Sequence, residues 1–446
     1  MSPTLLSAWT NTVRSAPAAV GYIDAATGTR VTRAELEARA AAWCVRHGAG
    51  LAGRTVVLAE PNGANWLAAF LGLLAADAVV APLDPGEPPP AQHATAAAIG
   101  AAWIWSAGEL RPVGGRGRRA RDGRRLLKLT SGSTGTPRAL AFTDAQMLAD
   151  GRQVCAGMDI RPADVNFGLI PFGHSYGLGN LVVPLLAQGT AIVGGAAVLP
   201  QVMAETIARE RPTVFPAVPA LLRVLVAADI APEKLASLRT VISAGAPLAP
   251  EIAAAFHAKF GRKVHSFYGS SETGGITYDK TGDAARTGRS VGAPLPGVEL
   301  VFSRAGRVVV SSAAVFTLGN RRRDARGGGA HLTADIAVPA PGGELVLLGR
   351  AGRWVKIAGR RLNLAEVERA MKALPGVRDA FVTLHRGRAE ALAAAAATDL
   401  APEAVRTALS AGLAAWKVPK KLLCLPAFPL TARGKTDTAK LRGLLG

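Results

Sequence analysis

The chain has 446 residues, of which 49% are hydrophobic and 19% charged, and this balance indicates a globular protein of two or three domains with a large buried core. Its formal charge of +20, from 52 basic and 32 acidic residues, favours nucleic acid, anionic lipid, an acidic partner protein or polyphosphate ligands. The arginine-rich stretches 116–125 and 321–326 lack interleaved aromatic side chains for base stacking, so we expect no nucleic-acid partner.

Helices and strands alternate through the first half of the chain. Thr32 and Glu35 form the pattern of a capping box, which marks the start of a helix. Apolar periodicity and apolar runs predict these elements in order: helix 33–47, strand 55–59, helix 62–76, strand 78–83, helix 144–158, strand 166–170, helix 178–188 and strand 191–193. This alternation predicts a parallel α/β architecture.

The pattern changes after residue 290. Short apolar runs separated by Gly and Pro predict β-structure appended to the α/β part, at 298–302, 308–311 and 344–348. A new unit begins near Arg350, with three predicted elements: helix 364–373, strand 380–384 and helix 402–414. The polar, glycine-bearing stretch 349–353 is expected to be a hinge. We therefore predict a large domain over 1–349 and a small domain over 350–446.

The cysteines and the longest apolar stretches bear on the cellular compartment. Cys44, Cys155 and Cys424 are far apart and form no C-x-x-C pair, so neither a disulfide framework nor a zinc site is expected. No signal peptide is apparent at the N-terminus. The apolar stretches 66–83 and 181–203 contain polar residues, which indicates buried helices and strands and no membrane span. We expect a cytoplasmic protein.

The loop that follows the apolar run 126–129 reads T-S-G-S-T-G-T-P-R. Gly132 and Gly135 allow close backbone approach, so that successive N–H groups can form a nest for an anion. Arg138 adds a positive charge, and hydroxyl donors line the loop: Thr130, Ser131, Ser133 and Thr134. The loop matches neither the Walker pattern nor G-x-G-x-x-G. Its composition predicts a site for a polyphosphate.

Two further segments follow predicted strands. Residues 171–177 place His174 and Tyr176 at the carboxyl end of a strand, where open α/β sheets bind ligands. Residues 242–247 form a turn of small residues, which suits the approach of a flat ring to the backbone. Taken alone, His174 is also typical of a hydrogen-bonded structural histidine.

Residues 267–273 bring together an aromatic ring, hydroxyls and a carboxylate at another strand end. Glu272 suits Mg²⁺, Ser271 suits a phosphate oxygen and Tyr268 suits stacking on a base. Near the C-terminus, a glycine turn presents Lys435, which can reach a ligand held by another domain.

In this order, the segments resemble the motifs of the adenylate-forming superfamily, which includes acyl-CoA synthetases, aryl and fatty acyl-AMP ligases, luciferases and peptide-synthetase adenylation domains. The loop at 130–138 is similar to T-S-G-S-T-G-x-P-K, with Arg138 in place of lysine. Residues 268–272 resemble Y-G-x-T-E, with Ser271 in place of threonine, and 333–335 resemble T-G-D, with alanine in place of glycine.

The C-terminal part carries two further matches. Four residues fall on the family's G-R-x-D-x-x-x-K-x-x-G-x-x-x-x-x-x-E pattern: Arg350, Lys356, Gly359 and Glu366. Gly352 stands where the pattern has the hinge aspartate, and Gly434 with Lys435 matches the family's C-terminal G-K. The resemblance covers nearly the whole chain.

The resemblance implies a fold and a reaction. The fold is α/β, with a large N-terminal domain of stacked α/β subdomains and a small distorted β-barrel, followed by a small mobile α+β C-terminal domain. In the reaction, a carboxylate attacks the α-phosphate of ATP to give acyl-AMP and pyrophosphate, and a thiol then takes the acyl group. In-line displacement of this kind needs positioning and charge neutralisation more than a protein nucleophile.

The resemblance also assigns roles to residues. Thr134 and the loop amides hold the β- and γ-phosphates, Glu272 holds Mg²⁺, and Asp335 accepts the ribose hydroxyls with Arg350 nearby. Lys435 bridges the carboxylate and the α-phosphate, and rotation about Gly352 brings Lys356 towards the thiol tunnel. The remaining nucleotide contacts are assigned to Gly245, Ala246, Pro247, Tyr268, Gly269 and Ser271, and the carboxylate pocket to Phe172, His174, Tyr176 and Gly177. His174 is also assigned to the catalytic residues, with Lys435, Glu272, Thr134 and Lys356.

The same segments bear on the substrate and on the acceptor. Amino-acid-activating relatives carry an aspartate near 171–177, where this chain has Phe172, Gly173 and His174, and an unpaired buried ammonium is costly. We therefore expect an acid without an α-amine, aryl or fatty, and the similarity of 176–180 to benzoate-type ligases favours an aryl or other apolar acid. We expect the acceptor to be coenzyme A or the phosphopantetheine arm of an acyl or aryl carrier protein, and the chain to be a monomer or a homodimer. The alternative is a catalytically impaired nucleotide-binding homologue with a regulatory role.

Overall fold

The computed structural model describes residues 3–114, 120, 123–130, 138–318, 329–351, 354–357, 360–385, 391–431 and 436–445. The chain divides into two compact units. The first comprises Met1–Val301, Val309–His331 and Pro339–Val346, and the second comprises Phe302–Val308, Leu332–Val338 and Leu347–Gly446. The second unit includes segments that precede residue 350 in the sequence. The predicted domain boundary between residues 349 and 350 remains a prediction.

The N-terminal part of the first unit alternates helices and short strands, as the sequence predicts. The elements in chain order are α1 (Leu5–Ser15), β1 (Val20–Asp24), β2 (Arg30–Thr32), α2 (Arg33–His47), β3 (Thr55–Leu58), α3 (Ala64–Ala75), β4 (Val79–Pro82), α4 (Pro89–Ala98), β5 (Trp103–Ser106), β6 (Glu109–Pro112), β7 (Leu126–Thr130), β8 (Arg138–Phe142) and α5 (Asp144–Met158). The predicted capping box is present at α2, where the Glu35 N–H donates to Thr32 Oγ1 at 3.2 Å and the Thr32 N–H donates to the Glu35 carboxylate at 2.7 Å.

The alternation continues through the rest of the first unit. The elements are β9 (Val165–Phe167), α6 (Ser175–Gly177), α7 (Val183–Gln188), β10 (Ala191–Gly194), α8 (Pro200–Glu210), β11 (Val214–Ala217), α9 (Pro219–Ala227), β12 (Thr240–Ser243), α10 (Pro250–Phe260), β13 (Val264–Ser270), β14 (Gly274–Tyr278), α11 (Asp283–Thr287) and β15 (Ala293–Pro294).

Two predicted elements differ from the structure in this region. The strand expected at 166–170 ends at Phe167, because the next carbonyls accept hydrogen bonds from the Asn62 side chain and not from a strand. The helix expected over 178–188 is π-helical over Leu178–Val182 before α7 begins. Pro184 has no N–H to offer the carbonyl of Asn180, which accepts instead from the Asn166 side chain at 3.2 Å.

The C-terminal part begins with the strands that the apolar runs predict. Its elements are β16 (Glu299–Phe302), β17 (Arg307–Ser312), β18 (Gly329–Pro339), β19 (Leu345–Arg350), β20 (Trp354–Ile357), β21 (Arg360–Asn363), α12 (Leu364–Lys372), β22 (Val377–Leu384), β23 (Leu392–Thr398), α13 (Pro402–Gly412), β24 (Lys421–Leu425) and α14 (Thr438–Leu445). Strands β16–β19 form one sheet in chain order, β20 pairs with β21, and β22–β24 form a three-stranded sheet. The α/β fold class with an appended β-sheet is confirmed.

Two sheets build the first unit. One has the strand order β15-β14-β13-β12-β11-β9-β10-β1-β2 and is parallel from β13 to β1. The other has the order β6-β5-β3-β4-β7-β8 and is parallel from β5 to β7. Within each sheet, the carboxyl ends of the parallel strands share one edge, and this edge carries the segments singled out from the sequence.

Apolar side chains fill the space on the sheet faces. In the first unit, buried Phe167, Phe215 and Phe256 belong to the core around β9, β11 and α10. In the second unit, the alternating residues of β23 face two cores: Ala394 and Ala396 pack towards α12 and α13, whereas Ala393 and Ala395 pack towards α14. None of the described helices has the length and apolar character needed to cross a bilayer.

Candidate active site

The ends of the predicted phosphate loop are fixed by the β7–β8 hairpin. Thr130 and Arg138 are opposite each other in this antiparallel pair, and Thr130 Oγ1 donates to the Arg138 carbonyl at 3.3 Å. The Arg138 side chain is exposed to solvent. The predicted phosphate-binding residues between them lie outside the described residues: Ser131, Gly132, Ser133, Thr134 and Gly135.

A side chain beyond β3 holds the segment that carries His174. The Asn62 amide donates to the Ile170 carbonyl at 2.8 Å, and Asn62 Oδ1 accepts the Phe172 N–H at 2.8 Å. The Phe172 ring is fully buried and lies edge-on to the Trp66 ring, with their centroids 5.5 Å apart. Asn62 therefore joins the carboxyl ends of β3 and β9 and sets the path of the chain into residues 171–177.

The short helix α6 starts immediately after His174. The His174 N–H donates to the Pro171 carbonyl at 3.1 Å, which closes the turn before the helix. Gly177 is required here, since a Cβ atom at this position would lie 2.0 Å from the Pro171 carbonyl oxygen. The His174 side chain is half-buried at the start of α6.

Two residues of α6 contact the neighbouring strands. Ser175 Oγ donates to Ser271 Oγ at 3.0 Å, and the Tyr176 hydroxyl donates to the Ala217 carbonyl at 3.3 Å. The Tyr176 and Phe267 rings are 5.8 Å apart. Burial raises the pKa of the Tyr176 phenol well above its ordinary value, and nearby Tyr278 adds to the shift. The wall formed by Tyr176 is therefore uncharged at neutral pH.

A tight turn between β13 and β14 carries Ser271 and Glu272. Ser270 pairs with Gly274, and the Ser270 and Thr273 hydroxyls are 3.0 Å apart across the turn. Thr273 is fully buried, whereas Glu272 is half-buried. The Glu272 carbonyl accepts the Phe316 N–H at 3.2 Å. The turn is thus held on both sides, with the Glu272 carboxylate on its partly open face.

Gly245 and Tyr268, which the sequence predicts to contact a flat ring of the ligand, lie near the ends of adjacent strands. Ser243 of β12 is in register with Ser266 of β13, so that Gly245 and Tyr268 both lie two residues farther along parallel strands. Gly245 has a φ of +83°, which favours glycine, and it begins an exposed loop with Ala246 and Pro247. Gly269 faces the Gly274 carbonyl so closely that a Cβ atom would lie 2.7 Å from its oxygen.

A buried ion pair joins strand β7 to helix α5. Lys128 of β7 and Asp150 of α5 are 2% and 3% exposed, and the Lys128 ammonium is 3.7 Å from Asp150 Oδ2. The same ammonium is 4.3 Å from the centroid of the Phe142 ring. Burial lowers the pKa of Lys128, while the charge of Asp150 and, more weakly, that of Glu272 oppose this shift.

The second unit brings Asp335 and Arg350 together. Arg350 Nε is 3.1 Å from Asp335 Oδ1, with exposed fractions of 67% and 17% for the two side chains. Thr333, which is buried, accepts the Asp335 N–H at 3.2 Å and donates to the Val308 carbonyl at 3.0 Å. The T-A-D segment is therefore fixed by its own threonine.

The remaining predicted residues of the second unit are described less fully. Lys356 lies on β20 opposite Arg361, and Glu366 of α12 forms an ion pair with Lys417. The predicted hinge residue Gly352 and the predicted catalytic residue Lys435 lie outside the described residues.

The carboxylates of the site suit Mg²⁺ bound mainly by a nucleotide. Within the described ranges, no three or more His, Cys, Asp or Glu side chains form a metal-ligand group. Mg²⁺ at phosphate-transfer sites takes only one or two carboxylates beside phosphate oxygens and water, so the half-buried Glu272 carboxylate fits that requirement.

Reasoning from the sequence alone missed three residues that organise this edge: Asn62, Lys128 and Asp150. Lys128 had a detectable signal, because a charge inside the apolar run Leu126–Leu129 must find a partner once the strand is buried. Asn62 and Asp150 had none, since the backbone groups that they hold are more than 100 positions away.

Comparisons with known proteins show which families and folds the chain is similar to. Residues 121–307 match the family model described as AMP-binding enzyme. The chain is 30% identical over 346 residues to an L-proline--[L-prolyl-carrier protein] ligase of Streptomyces coelicolor, which covers 71% of this chain and 65% of that protein. It is 29% identical over 346 residues to a benzoate--CoA ligase of Thauera aromatica, which covers 70% of this chain and 64% of that protein. The chain thus spans slightly under two thirds of the length of these relatives.

The fold has solved counterparts. ATP-bound MatB from Rhodopseudomonas palustris superposes with a TM-score of 0.85 at 20% identity, covering 100% of this chain and 99% of that structure. This likeness concerns the fold. The matching family model and relatives, together with the ordered motifs of the sequence, support membership of the adenylate-forming superfamily.

Proposed function

We propose that this protein activates a carboxylic acid with ATP, releasing pyrophosphate and forming an acyl-AMP, and then transfers the acyl group to a thiol. The observation that carries the proposal is the hydrogen bond between Ser175 and Ser271. It joins the segment of the predicted acid pocket to the turn that carries Glu272. A carboxylate beside His174 and a nucleotide beside Glu272 would therefore be neighbours, as attack on the α-phosphate requires.

The reaction requires that the reactants are positioned and that the phosphate charge is neutralised. The loop after Thr130 and Arg138 would hold the β- and γ-phosphates, with Thr134 among its donors, and Tyr268 and the 245–247 loop would receive adenine. Asp335 would accept the ribose hydroxyls, and Lys435 would bridge the carboxylate and the α-phosphate. Glu272 would hold Mg²⁺, which neutralises phosphate charge when bound. No protein nucleophile is needed, because the carboxylate itself attacks phosphorus.

The pocket favours an acid without an α-amine. The segment 171–177 contains no carboxylate, and the neighbouring wall is formed by the neutral Tyr176 phenol beside Phe267. An ammonium placed there would find no carboxylate within residues 171–177, whereas an aromatic or aliphatic acid would contact rings. We propose an aryl or other apolar acid as the substrate.

The acceptor is proposed to be coenzyme A or the phosphopantetheine arm of a carrier protein. One relative is named as a carrier-protein ligase and another as a CoA ligase. Both acceptors present a thiol group that can take the acyl group. Lys356 and rotation about Gly352 are proposed to serve this second step.

One observation favours the alternative function, a nucleotide-binding homologue impaired in turnover. Arg138 replaces the lysine of the family motif, and a planar guanidinium does not reproduce the geometry of an ammonium. Such a protein would bind ATP without releasing pyrophosphate.

The deciding experiment measures pyrophosphate release with a panel of aryl, fatty and amino acids. We expect release that depends on an acid without an α-amine, and a loss of about 100-fold or more in the Lys435→Ala variant, on the scale of removing one preorganised charge-stabilising group. Lys440→Ala, which removes an exposed cation of α14, is the matched control and should retain activity. ATP binding without release for every acid would support the impaired homologue.

A further inference from the structure

The ion pair between Lys128 and Asp150 has no assigned role in the reaction. Both side chains are almost completely buried, at 2% and 3% exposure. The Lys128 ammonium has no hydrogen-bond partner within the described part of the chain. Burying two charges costs several kcal/mol per ion and is often replaceable by apolar residues, so stability alone is a weak reason for the pair. Its location suggests a different reason.

Lys128 lies next to the phosphate loop. It is two residues before Thr130, where the loop begins, and its side chain is on the same face of the hairpin as those of Thr130 and Arg138. The strand segment that carries the buried ammonium therefore leads directly to Thr130, where the described part of the strand ends.

Asp150 fixes the other side of the site. Its Oδ1 accepts the Gly275 N–H at 2.9 Å, directly after the turn that carries Glu272. The contact is close: Gly274 has a φ of +72°, and a Cβ atom there would lie 2.3 Å from Asp150 Oδ1. Only glycine allows this approach. The carboxylate thus holds the turn two to three residues beyond Glu272.

The same helix supports the turn from a second direction. Gln146, one turn before Asp150 in α5, donates to the Val315 carbonyl at 3.1 Å and to the Thr317 hydroxyl at 2.8 Å. Between these residues, the Phe316 N–H donates to the Glu272 carbonyl at 3.2 Å. Helix α5 therefore holds both the Gly275 backbone and the segment whose Phe316 N–H contacts the Glu272 carbonyl.

We propose that Lys128 and Asp150 are positioning residues whose ion pair is coupled to the Glu272 turn through the backbone of Gly274 and Gly275. This inference rests on the proposed function, in which the loop holds the triphosphate and Glu272 holds Mg²⁺. The Lys128 ammonium lies beside the buried Asp150 carboxylate, Asp150 holds the Gly274–Gly275 backbone, and the turn keeps the Glu272 carboxylate facing the phosphates. Removal of the ammonium leaves an uncompensated buried carboxylate, which weakens this hold.

The test compares Lys128→Met and Asp150→Asn with the double variant Lys128→Met/Asp150→Asn. The readouts are equilibrium binding of Mg·ATP, the Mg²⁺ activation constant, the apparent KM values for ATP and for the acid, and thermal unfolding. We expect Lys128→Met to weaken Mg·ATP binding and Mg²⁺ activation about tenfold or more, as for outer partners of metal ligands, while the KM for the acid changes less than about twofold. Lys128→Arg, which restores the charge, should recover part of the loss.

The double variant separates positioning from stability. Removing both charges should return the unfolding temperature towards that of the wild type and leave Mg·ATP binding weakened. Lys263→Met, which breaks the exposed pair with Asp283 at 3.0 Å, is the control and should change neither readout. The inference is overturned if Lys128→Met binds Mg·ATP like the wild type, or if the double variant recovers stability and binding together.

Binding also separates this inference from the proposed function. If the wild type binds Mg·ATP and releases no pyrophosphate with any acid, the proposed function fails, and the variant affinities still test the coupling. If the wild type does not bind Mg·ATP, the coupling is overturned together with the proposed function.

Discussion

Ser175 Oγ lies 3.0 Å from Ser271 Oγ and donates a hydrogen bond to it. The two serines are 96 positions apart, and each belongs to a segment that the sequence singled out for a different part of the substrate. The bond joins the start of α6 to the turn between β13 and β14. The segment predicted to form the acid pocket is thereby joined to the turn predicted to hold Mg²⁺.

The first prediction concerns this bond. Ser271→Ala should raise the apparent KM values for both ATP and the acid about fivefold, since a typical net hydrogen bond contributes about 1 kcal/mol. Ser271→Thr keeps the hydroxyl and matches the family motif, so it should stay within about twofold of the wild type. Steady-state pyrophosphate release checks this. Equal losses in both variants would show that the hydroxyl has no part in the effect.

The second prediction concerns the residue that holds the His174 segment. Asn62→Leu leaves the Phe172 N–H and the Ile170 carbonyl without their partner, which should lower the free energy of unfolding by about 2–4 kcal/mol and raise the KM for the acid. Asn65→Leu, at an exposed position three residues later, is the control. Denaturant unfolding of the two variants measures the difference. Equal midpoints would contradict the role given to Asn62.

The elements that the sequence predicted correctly are those whose limits are set by neighbouring residues in the chain. Helix 33–47 and the strand–helix alternation depend on local capping and periodicity, so Thr32, Glu35 and the apolar runs predicted them well. The shortened strand at Val165–Phe167 could not be predicted, because its limit is set by Asn62, which is distant in sequence.

The candidate site shows the same division. Motif residues such as Ser271 and Glu272 could be recognised from their order along the chain. The residues that hold them in place, Asp150 and Gln146, contact backbone groups of remote segments, and no local pattern distinguishes them. Their identification requires the structure.

The third prediction uses a pair of glycines with similar backbone conformations. Gly274 and Gly261 have φ values of +72° and +64°, but a Cβ atom would contact Asp150 only at Gly274, and at Gly261 it would meet nothing within 4 Å. Gly261→Ala should therefore cost only about 1–2 kcal/mol of backbone strain. Gly274→Ala should cost more and also weaken Mg·ATP binding. Calorimetric unfolding and nucleotide binding test this, and similar behaviour of the two variants would contradict the close contact.

The fourth prediction concerns alkaline pH. Burial raises the pKa of Tyr22, Tyr176 and Tyr278 above the ordinary value near 10. Above about pH 10 the unfolded chain releases these protons while the folded chain keeps them, so stability is fully present below that pH and falls as the pH rises through it. Absorbance at 295 nm should show three of the four tyrosines ionising only as the protein unfolds. Reversible ionisation of all four in the folded protein would contradict the burial.

The most direct test of the central claim is acid-dependent exchange of labelled pyrophosphate into ATP, with matched pairs of acids that differ only in an α-amine. Exchange requires the acyl-AMP intermediate, so it reports the first half-reaction without any choice of thiol acceptor. We predict exchange with an aryl or other apolar acid, little with its α-amino counterpart, and loss of exchange in the Lys435→Ala variant. No exchange with any acid, or faster exchange with the α-amino acids, would contradict the account.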